Sequence, residues 1–229
     1  MKLSYLAYQV VKNVMYHEDA GFTYDAYISG KYDADQDYAN NINNAYAPIN
    51  EALHRLSDME KVAYKVAFCG TPDNQGILEL APVFSSEGPG KVVKIKKIVS
   101  VFRLAGNTYV TASFREMGKD KVYLDGAWKG DYYVQFAEDI PFFKPDDVDY
   151  FRTETETLCQ KDVDLEDYGI TETMCSYAIE YASGKLQEPI APELSNMHIT
   201  RAEQYFDDLP EQQTAFRQNR VNRRYSING

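Results

Sequence analysis

Two stretches in the first quarter of the chain repeat apolar residues every three or four positions. Residues 3–16 do so, and this spacing predicts an amphipathic helix; its stripe is Leu3, Leu6, Val10 and Val14. Residues 35–56 carry a longer stripe and predict the clearest helix of the chain; its stripe is Tyr38, Ile42, Ala45, Tyr46, Ile49, Ala52, Leu53 and Leu56. Pro48 lies inside the second stripe, so we expect a kink or a break near Ala47.

The middle of the chain changes to short β-branched and aromatic runs separated by turn residues. Residues 61–68 alternate Val62, Tyr64, Val66 and Phe68, which favours a strand, although a helical continuation fits the same residues. Further strands are predicted at about ten-residue spacing, as in an antiparallel meander; they are residues 92–102, 108–114, 121–124 and 132–136.

Helical periodicity returns near the C-terminus. Residues 165–185 predict a helix that Pro189 and Pro192 stop, and Ser195 or Asn196 can cap a last helix.

This order of elements predicts an α+β fold, in which a helical bundle holds an inserted antiparallel β lobe and continues into an extended C-terminal arm. The helical body comprises residues 1–60 and 140–212, the β-rich insertion residues 61–139, and the arm residues 213–229.

Composition is that of a folded chain, and we expect the chain to be made in a cytoplasm. The 229 residues are 44% hydrophobic, which excludes a disordered protein. No apolar run approaches the roughly 20 residues that span a bilayer, and the first residues lack a continuous apolar signal core. The three cysteines have no C-x-x-C spacing, so we expect reduced, partly buried thiols and neither a disulfide framework nor a zinc site.

The net charge of −11 is unevenly distributed. Residues 91–134 hold nine bases and four acids, a local charge of +5, and residues 217–229 hold four arginines and no acid, a local charge of +4. The remainder therefore carries −20 (−11 − 5 − 4). Ordinary solvated faces would account for this pattern; the sharper interpretation is assembly, in which basic segments of one subunit meet acidic surface of another.

Motifs for catalysis and cofactor binding are missing. No G-x-S-x-G, Walker A or G-x-G-x-x-G sequence occurs. The three histidines share no helical spacing, so structural or solvent roles are expected for them; they are His17, His54 and His198. We therefore predict no catalytic residue, no cofactor and no metal, and a protein that is not an enzyme.

One acidic run imitates the first half of an EF-hand loop. Asp33, Asp35 and Asp37 alternate, but Tyr38 stands where that loop needs glycine and Asn44 where it needs a bidentate glutamate. Carboxylates at the start of a helix, favoured by the helix dipole, explain the run better.

Two further hypotheses use residues of other kinds. Trp128 with Tyr123, Tyr132 and Tyr133 could form an aromatic platform of a carbohydrate-binding module, although aromatics on short strands more often pack across strands. Adjacent carboxylates could act as acid and base in a hydrolase, which is the weakest hypothesis because acids are so numerous; examples are Glu138-Asp139, Asp146-Asp147 and Asp207-Asp208.

The order of elements resembles the head–tail connector (adaptor) proteins of tailed bacteriophages, in particular the podovirus-type tail adaptors. The matching features are the helix of residues 38–56, the β insertion ending near Phe136, the return helix of residues 171–183, the proline-containing break of residues 189–196, a further helix with Tyr205-Phe206, and the arginine-rich end.

The resemblance implies a virion structural protein that forms a homo-oligomeric ring between portal and tail, around the DNA exit channel. Its partners would be further copies, the portal, other neck or tail proteins, and passing DNA bound without sequence specificity, with no membrane. An acidic channel suits this role because it repels phosphates. The expected docking residues of the arm are Arg217, Arg220, Arg223, Arg224 and Tyr225, and those of the β lobe are Lys94, Lys96, Lys97 and Trp128.

Overall fold

The computed structural model describes residues 1–15, 20–80, 94–105, 108–118, 120–126, 130–153 and 156–210. It divides the chain into a helical unit and a β unit, with boundaries after Lys61 and after Asp139. Helices and antiparallel sheets are both present, so the predicted α+β class is confirmed. The predicted arm, residues 213–229, lies outside the described residues.

Five helices and one hairpin build the described part of the helical unit. They are α1 (Leu3–Met15), α2 (Tyr24–Ile28), α3 (Gln36–Asp58), the hairpin strands β8 (Asp149–Arg152) and β9 (Thr157–Lys161), α4 (Glu172–Gln187) and α5 (Pro192–Asp208). Helix α4 packs against α1, α3 and α5. It can do so because small residues such as Ala178, Ala182 and Gly184 are buried along it and let its neighbours approach closely.

The sequence predicts where α3 begins and ends, but it does not predict that the helix continues through Pro48. The side chain of Asp35 accepts hydrogen bonds from the backbone N–H groups of Asp37 and Tyr38 and caps the helix. Of the kink or break expected near Ala47, the break is wrong, because α3 continues through Pro48 as far as Asp58. Burial of the following turns, which include Ile49 and Leu53, offsets the backbone hydrogen bond that proline cannot donate.

Two boundaries of the C-terminal helices differ from the prediction. Leu165–Tyr168 is a 3-10 turn that ends at Gly169, whose φ is +74°; α4 begins only after Thr171, whose side chain caps it. Pro192 starts α5, where a missing N–H costs nothing, and Ser195 lies inside the helix. The short helix α2 and the β8–β9 hairpin were not predicted.

The β unit contains two antiparallel sheets. Its strands are β1 (Lys65–Gly70), β2 (Ile77–Glu79), β3 (Ile95–Ala105), β4 (Thr108–Ala112), β5 (Phe114–Glu116), β6 (Lys121–Leu124) and β7 (Tyr132–Glu138). The four-stranded sheet has the order β1-β7-β3-β4 and the three-stranded sheet the order β2-β6-β5. The predicted meander is therefore wrong: β7, the last strand of the unit, pairs with both β1 and β3, and most of its residues are buried, as is typical of a central strand.

One apolar core joins the two sheets of the β unit. It includes Leu78 and Leu124 from the three-stranded sheet and Val101, Val134 and Phe136 from the four-stranded sheet. Because side chains alternate across a strand, these core residues leave every second position of β1, β7, β3 and β4 on the opposite face.

Candidate interaction surfaces

The opposite face of the four-stranded sheet carries a row of aromatic rings, one from each strand. Phe68 pairs with Tyr133 across β1 and β7, and Tyr133 pairs with Phe102 across β7 and β3. Tyr109 on β4 pairs with Leu104, so its ring is the diagonal neighbour of Phe102. The pairing register alone thus aligns four rings across the sheet.

Ring geometry confirms that these side chains touch. The centroids of Phe68 and Tyr133 are 5.4 Å apart and meet edge to face. Tyr133 and Phe102 stack at 5.6 Å with planes 11° apart, and Phe102 meets Tyr109 edge to face at 5.2 Å. These separations lie in the range where aromatic pairs attract beyond their burial.

The two ends of the row are open to solvent. Phe68 is 51% exposed and Tyr109 is 53% exposed, whereas Phe102 in the middle is 5% exposed. Val66 and Leu104, on the same face, are about as exposed as the end rings. We call Val66, Phe68, Tyr133, Phe102, Leu104 and Tyr109 the aromatic face; an exposed apolar surface of this kind is typical of an interaction site.

The three lysines predicted to contact a partner lie at the start of β3. Lys94, Lys96 and Lys97 are all exposed. Lys97 pairs with Ala137 and belongs to the aromatic face's side of the sheet, because its neighbour Ile98 is buried in the core. Lys97 therefore places a cation beside the aromatic face. The other residues predicted as contacts lie outside the described residues; they are Trp128, Arg217, Arg220, Arg223, Arg224 and Tyr225.

The tyrosines proposed for a sugar platform do not share one face. Tyr132 is fully buried, and burial raises the pKa of its phenol. Tyr133, the next residue of β7, points to the opposite side, and Tyr123 belongs to the other sheet. Sequence reasoning therefore selected one member of the aromatic row and missed Phe68, Phe102 and Tyr109, whose alignment depends on strand pairing.

A second exposed apolar surface runs along α5. Leu194, Met197 and Tyr205 recur at helical spacing and are 39–43% exposed, and Ile190 just before the helix is 74% exposed. Arg201 lies on the same line, since it stands four residues after Met197 and four before Tyr205. We call these five residues the α5 stripe. It lies beside the buried face of α5, whose residues include Ala202 and Phe206.

Polar contacts hold α5 in place against α3 and α4. The guanidinium of Arg55 donates to both carboxylate oxygens of Glu203, at 2.8 and 3.1 Å. This hydrogen bond raises the pKa of Arg55. Nδ1 of His198 lies 2.6 Å from Oε2 of Glu180 on α4. These pairs join the far side of α5 to its own unit and leave the α5 stripe outside.

A cavity of about 320 Å³ lies between α2, α3 and the β8–β9 hairpin. Four tyrosines line much of it, namely Tyr27, Tyr38, Tyr46 and Tyr150, together with Asp33, Asp149 and Arg152. Burial raises the pKa of the Tyr46 and Tyr150 phenols, so both stay neutral. An aromatic cavity with the carboxylate of Asp149 at its wall can accommodate a cationic side chain.

Arg152 fixes one wall of this cavity. Its Nε donates to the carbonyl oxygen of Ile28 at 2.7 Å, and its Nη1 forms an ion pair with Asp33. Gly30 lies against this pair with a φ of +77°; a Cβ there would lie 2.8 Å from both Arg152 Nη1 and Asp33 Oδ2. The aspartate that resembled a calcium ligand is therefore occupied by arginine.

Most of the remaining polar side chains that could form a binding or metal site are bonded to other residues of the chain. Asp162 accepts hydrogen bonds from Ser4 and Tyr150, which join α1 to the hairpin. Within the described ranges, no three His, Cys, Asp or Glu side chains come together as a metal site. Cys69, Cys159 and Cys175 are free thiols, the first and third of them buried.

Comparison with known proteins gives no family model that matches the chain and no curated protein that matches its sequence. Among the described residues, every helix is too short or too polar to cross a bilayer.

Proposed function

We propose that the protein is a virion structural subunit of the head-to-tail connector class, which forms an oligomeric ring between portal and tail around the DNA exit channel. One observation carries the proposal: each of the two units presents its own exposed apolar surface, the aromatic face on one and the α5 stripe on the other. A ring subunit needs two contact surfaces, because it touches one neighbour on each side.

The charges of the two units support the same role. The helical unit holds ten basic and 26 acidic residues, a formal charge of −16, whereas residues 62–139 hold ten basic and nine acidic residues, a formal charge of +1. A channel wall built from the acidic unit repels DNA phosphates and lets the duplex pass without binding.

The basic C-terminal segment is the proposed docking arm. Arg217, Arg220, Arg223, Arg224 and Tyr225 supply cations and one aromatic ring, and the acidic helical unit supplies the complementary charge. The tyrosine-lined cavity, in which Asp149 supplies a carboxylate beside the Arg152–Asp33 ion pair, is the proposed place for an arginine side chain of this segment.

Electron microscopy of the purified full chain tests the proposal. We expect ring-shaped particles of one diameter with a central opening wide enough for a DNA duplex, and no retardation of double-stranded DNA at physiological salt. Particles without a central opening, or tight DNA binding, would contradict the proposal.

Truncation of the C-terminal arm provides a second test of the proposal. Removal of residues 213–229 should leave the far-ultraviolet circular dichroism of the chain unchanged, because every helix and strand among the described residues ends before residue 211. The proposal expects the truncated chain to be excluded from phage particles when it competes with the intact chain during infection. Equal incorporation of the two chains would refute the docking role of the arm.

A further inference from the structure

We propose that the aromatic face of one copy binds the α5 stripe of a second copy, so that copies join in one direction, face to stripe. This inference deepens the proposed function and rests on the chain being a ring subunit. It names the occupant of each exposed surface, namely the other surface on a neighbouring copy.

The two surfaces are unlike, which determines the kind of contact they can make. The aromatic face is a row of rings on a sheet, and the α5 stripe is a line of flexible apolar side chains on a helix. Two unlike surfaces on one chain give a heterologous contact, which repeats from copy to copy and closes into a ring when the rotation allows. Two like surfaces would give a closed pair and no ring.

The chemistry of the stripe fits a surface of rings. Met197 carries a polarisable sulfur that packs favourably on aromatic edges. Arg201 lies exposed in the middle of the stripe. A guanidinium stacks well on the face of a tyrosine or phenylalanine ring, and the open rings of Phe68 and Tyr109 offer such faces.

Charge favours the unlike pairing over a stripe-to-stripe pairing. A stripe-to-stripe contact would bring together two helical units of formal charge −16, which repel one another. A face-to-stripe contact instead brings the exposed Lys97 near a helical unit whose α5 also exposes Glu193, Asp207 and Asp208. Opposite charges at the margin of an apolar contact select the partner and its orientation.

Mixing two differently damaged chains tests the inference directly. The face variant carries Phe68→Ser with Tyr109→Ser, and the stripe variant carries Leu194→Gln with Met197→Gln. Each variant alone lacks one half of every contact and should be monomeric. Their equimolar mixture retains one intact face and one intact stripe, so it should form one-to-one dimers and nothing larger, as measured by native mass spectrometry.

Matched controls separate surface effects from general loss of apolar area. Phe151→Ser removes a ring that is 49% exposed on β8, comparable to Phe68, and Met59→Gln removes a methionine that is 58% exposed at the end of α3. Both controls should assemble like the unmodified chain. If a double variant fails to fold, the single changes Tyr109→Ser and Met197→Gln replace it, because neither side chain is buried.

The possible outcomes are distinguishable. A monomeric mixture beside an assembling unmodified chain overturns the face-to-stripe pairing and leaves the ring proposal standing. Assembly of either double variant by itself also overturns the pairing. An unmodified chain that stays monomeric at every concentration overturns the proposed function and this inference together.

Discussion

Phe102 and Tyr133 stack across β3 and β7 with their centroids 5.6 Å apart, and this pair forms the middle of the aromatic row, where Phe102 is buried. The structure thus separates rings that stabilise the β unit from rings available to a partner. We expect Phe102→Ala to lower the free energy of unfolding by about 3 kcal/mol, because it removes a buried ring. Tyr109→Ser should change it by less than about 1 kcal/mol, because that side chain is half exposed. Urea unfolding measures both changes in the free energy of unfolding, and equal losses would contradict this distinction between a buried and an exposed ring.

Asn50 provides a second test, in the helical unit. Its buried side-chain amide donates to the carbonyl oxygen of Phe143 at 2.8 Å and accepts from the Phe143 N–H at 2.8 Å. Asn50→Ala leaves both backbone groups unpaired, so we expect a loss of about 2–4 kcal/mol in the free energy of unfolding. Asn44→Ala, an exposed position of the same helix, is the matched control and should cost nothing. Similar costs at the two positions would refute this role.

Gly184 and Ile199 mark the closest approach of α4 and α5. A Cβ at Gly184 would lie 2.8 Å from Cδ1 and Cγ1 of Ile199 and 3.2 Å from the carbonyl oxygen of Ser195. Gly184→Ala should therefore destabilise the unmodified chain by about 1 kcal/mol, despite the better helix propensity of alanine. In an Ile199→Ala background the same change should destabilise less, because only the 3.2 Å approach to the Ser195 carbonyl oxygen remains. The same effect in both backgrounds, measured by thermal or urea unfolding, would contradict the close approach.

The burial of two of the three cysteines predicts which thiols react in the native protein and how stability changes at alkaline pH. Burial raises the pKa of the Cys69 thiol to about 11 and that of Cys175 to about 12. Native protein at pH 8 should thus react with Ellman's reagent at Cys159 alone, and urea-unfolded protein at all three thiols. Two fast thiols in the native Cys159→Ala variant would rule out the assigned burial.

The free energy of unfolding should fall at high pH as the same two thiols lose their protons. Their folded pKa values are raised above the ordinary 9.0, so the stability they contribute is complete below about pH 9 and is lost as the pH rises towards 11 and 12. Cys175→Ala should make the free energy of unfolding fall less steeply between pH 9 and pH 11. An unchanged slope would show that Cys175 does not titrate in this range.

Local sequence signals predicted the elements that depend on nearby residues. The alternation of Val66 and Phe68 corresponds to β1, and the acidic run at Asp35 corresponds to a capped helix start. Pro192 shows the limit of such signals, because a proline is compatible both with the end of one helix and with the first turn of the next. Only the packing of α5 on α4 decides between these alternatives.

The aromatic row could not be predicted, because it depends on contacts between distant strands. Phe68 and Tyr133 are 65 positions apart (133 − 68), and a one-residue change in register would turn either ring into the core. The exposed residues of α5 could not be predicted for a different reason. Leu194 and Met197 have the spacing of a core stripe, and only the described packing shows that they remain outside.

The mass of the unmodified chain in solution, measured by light scattering at increasing concentration and at two salt concentrations, tests the central claim most directly. The account predicts a single closed oligomer that forms as the protein concentration rises and persists at both about 0.05 M and about 0.5 M salt, because the contact is mainly apolar and the charges at its margin only select the partner and its orientation. A monomer at every concentration and at both salt concentrations would contradict it.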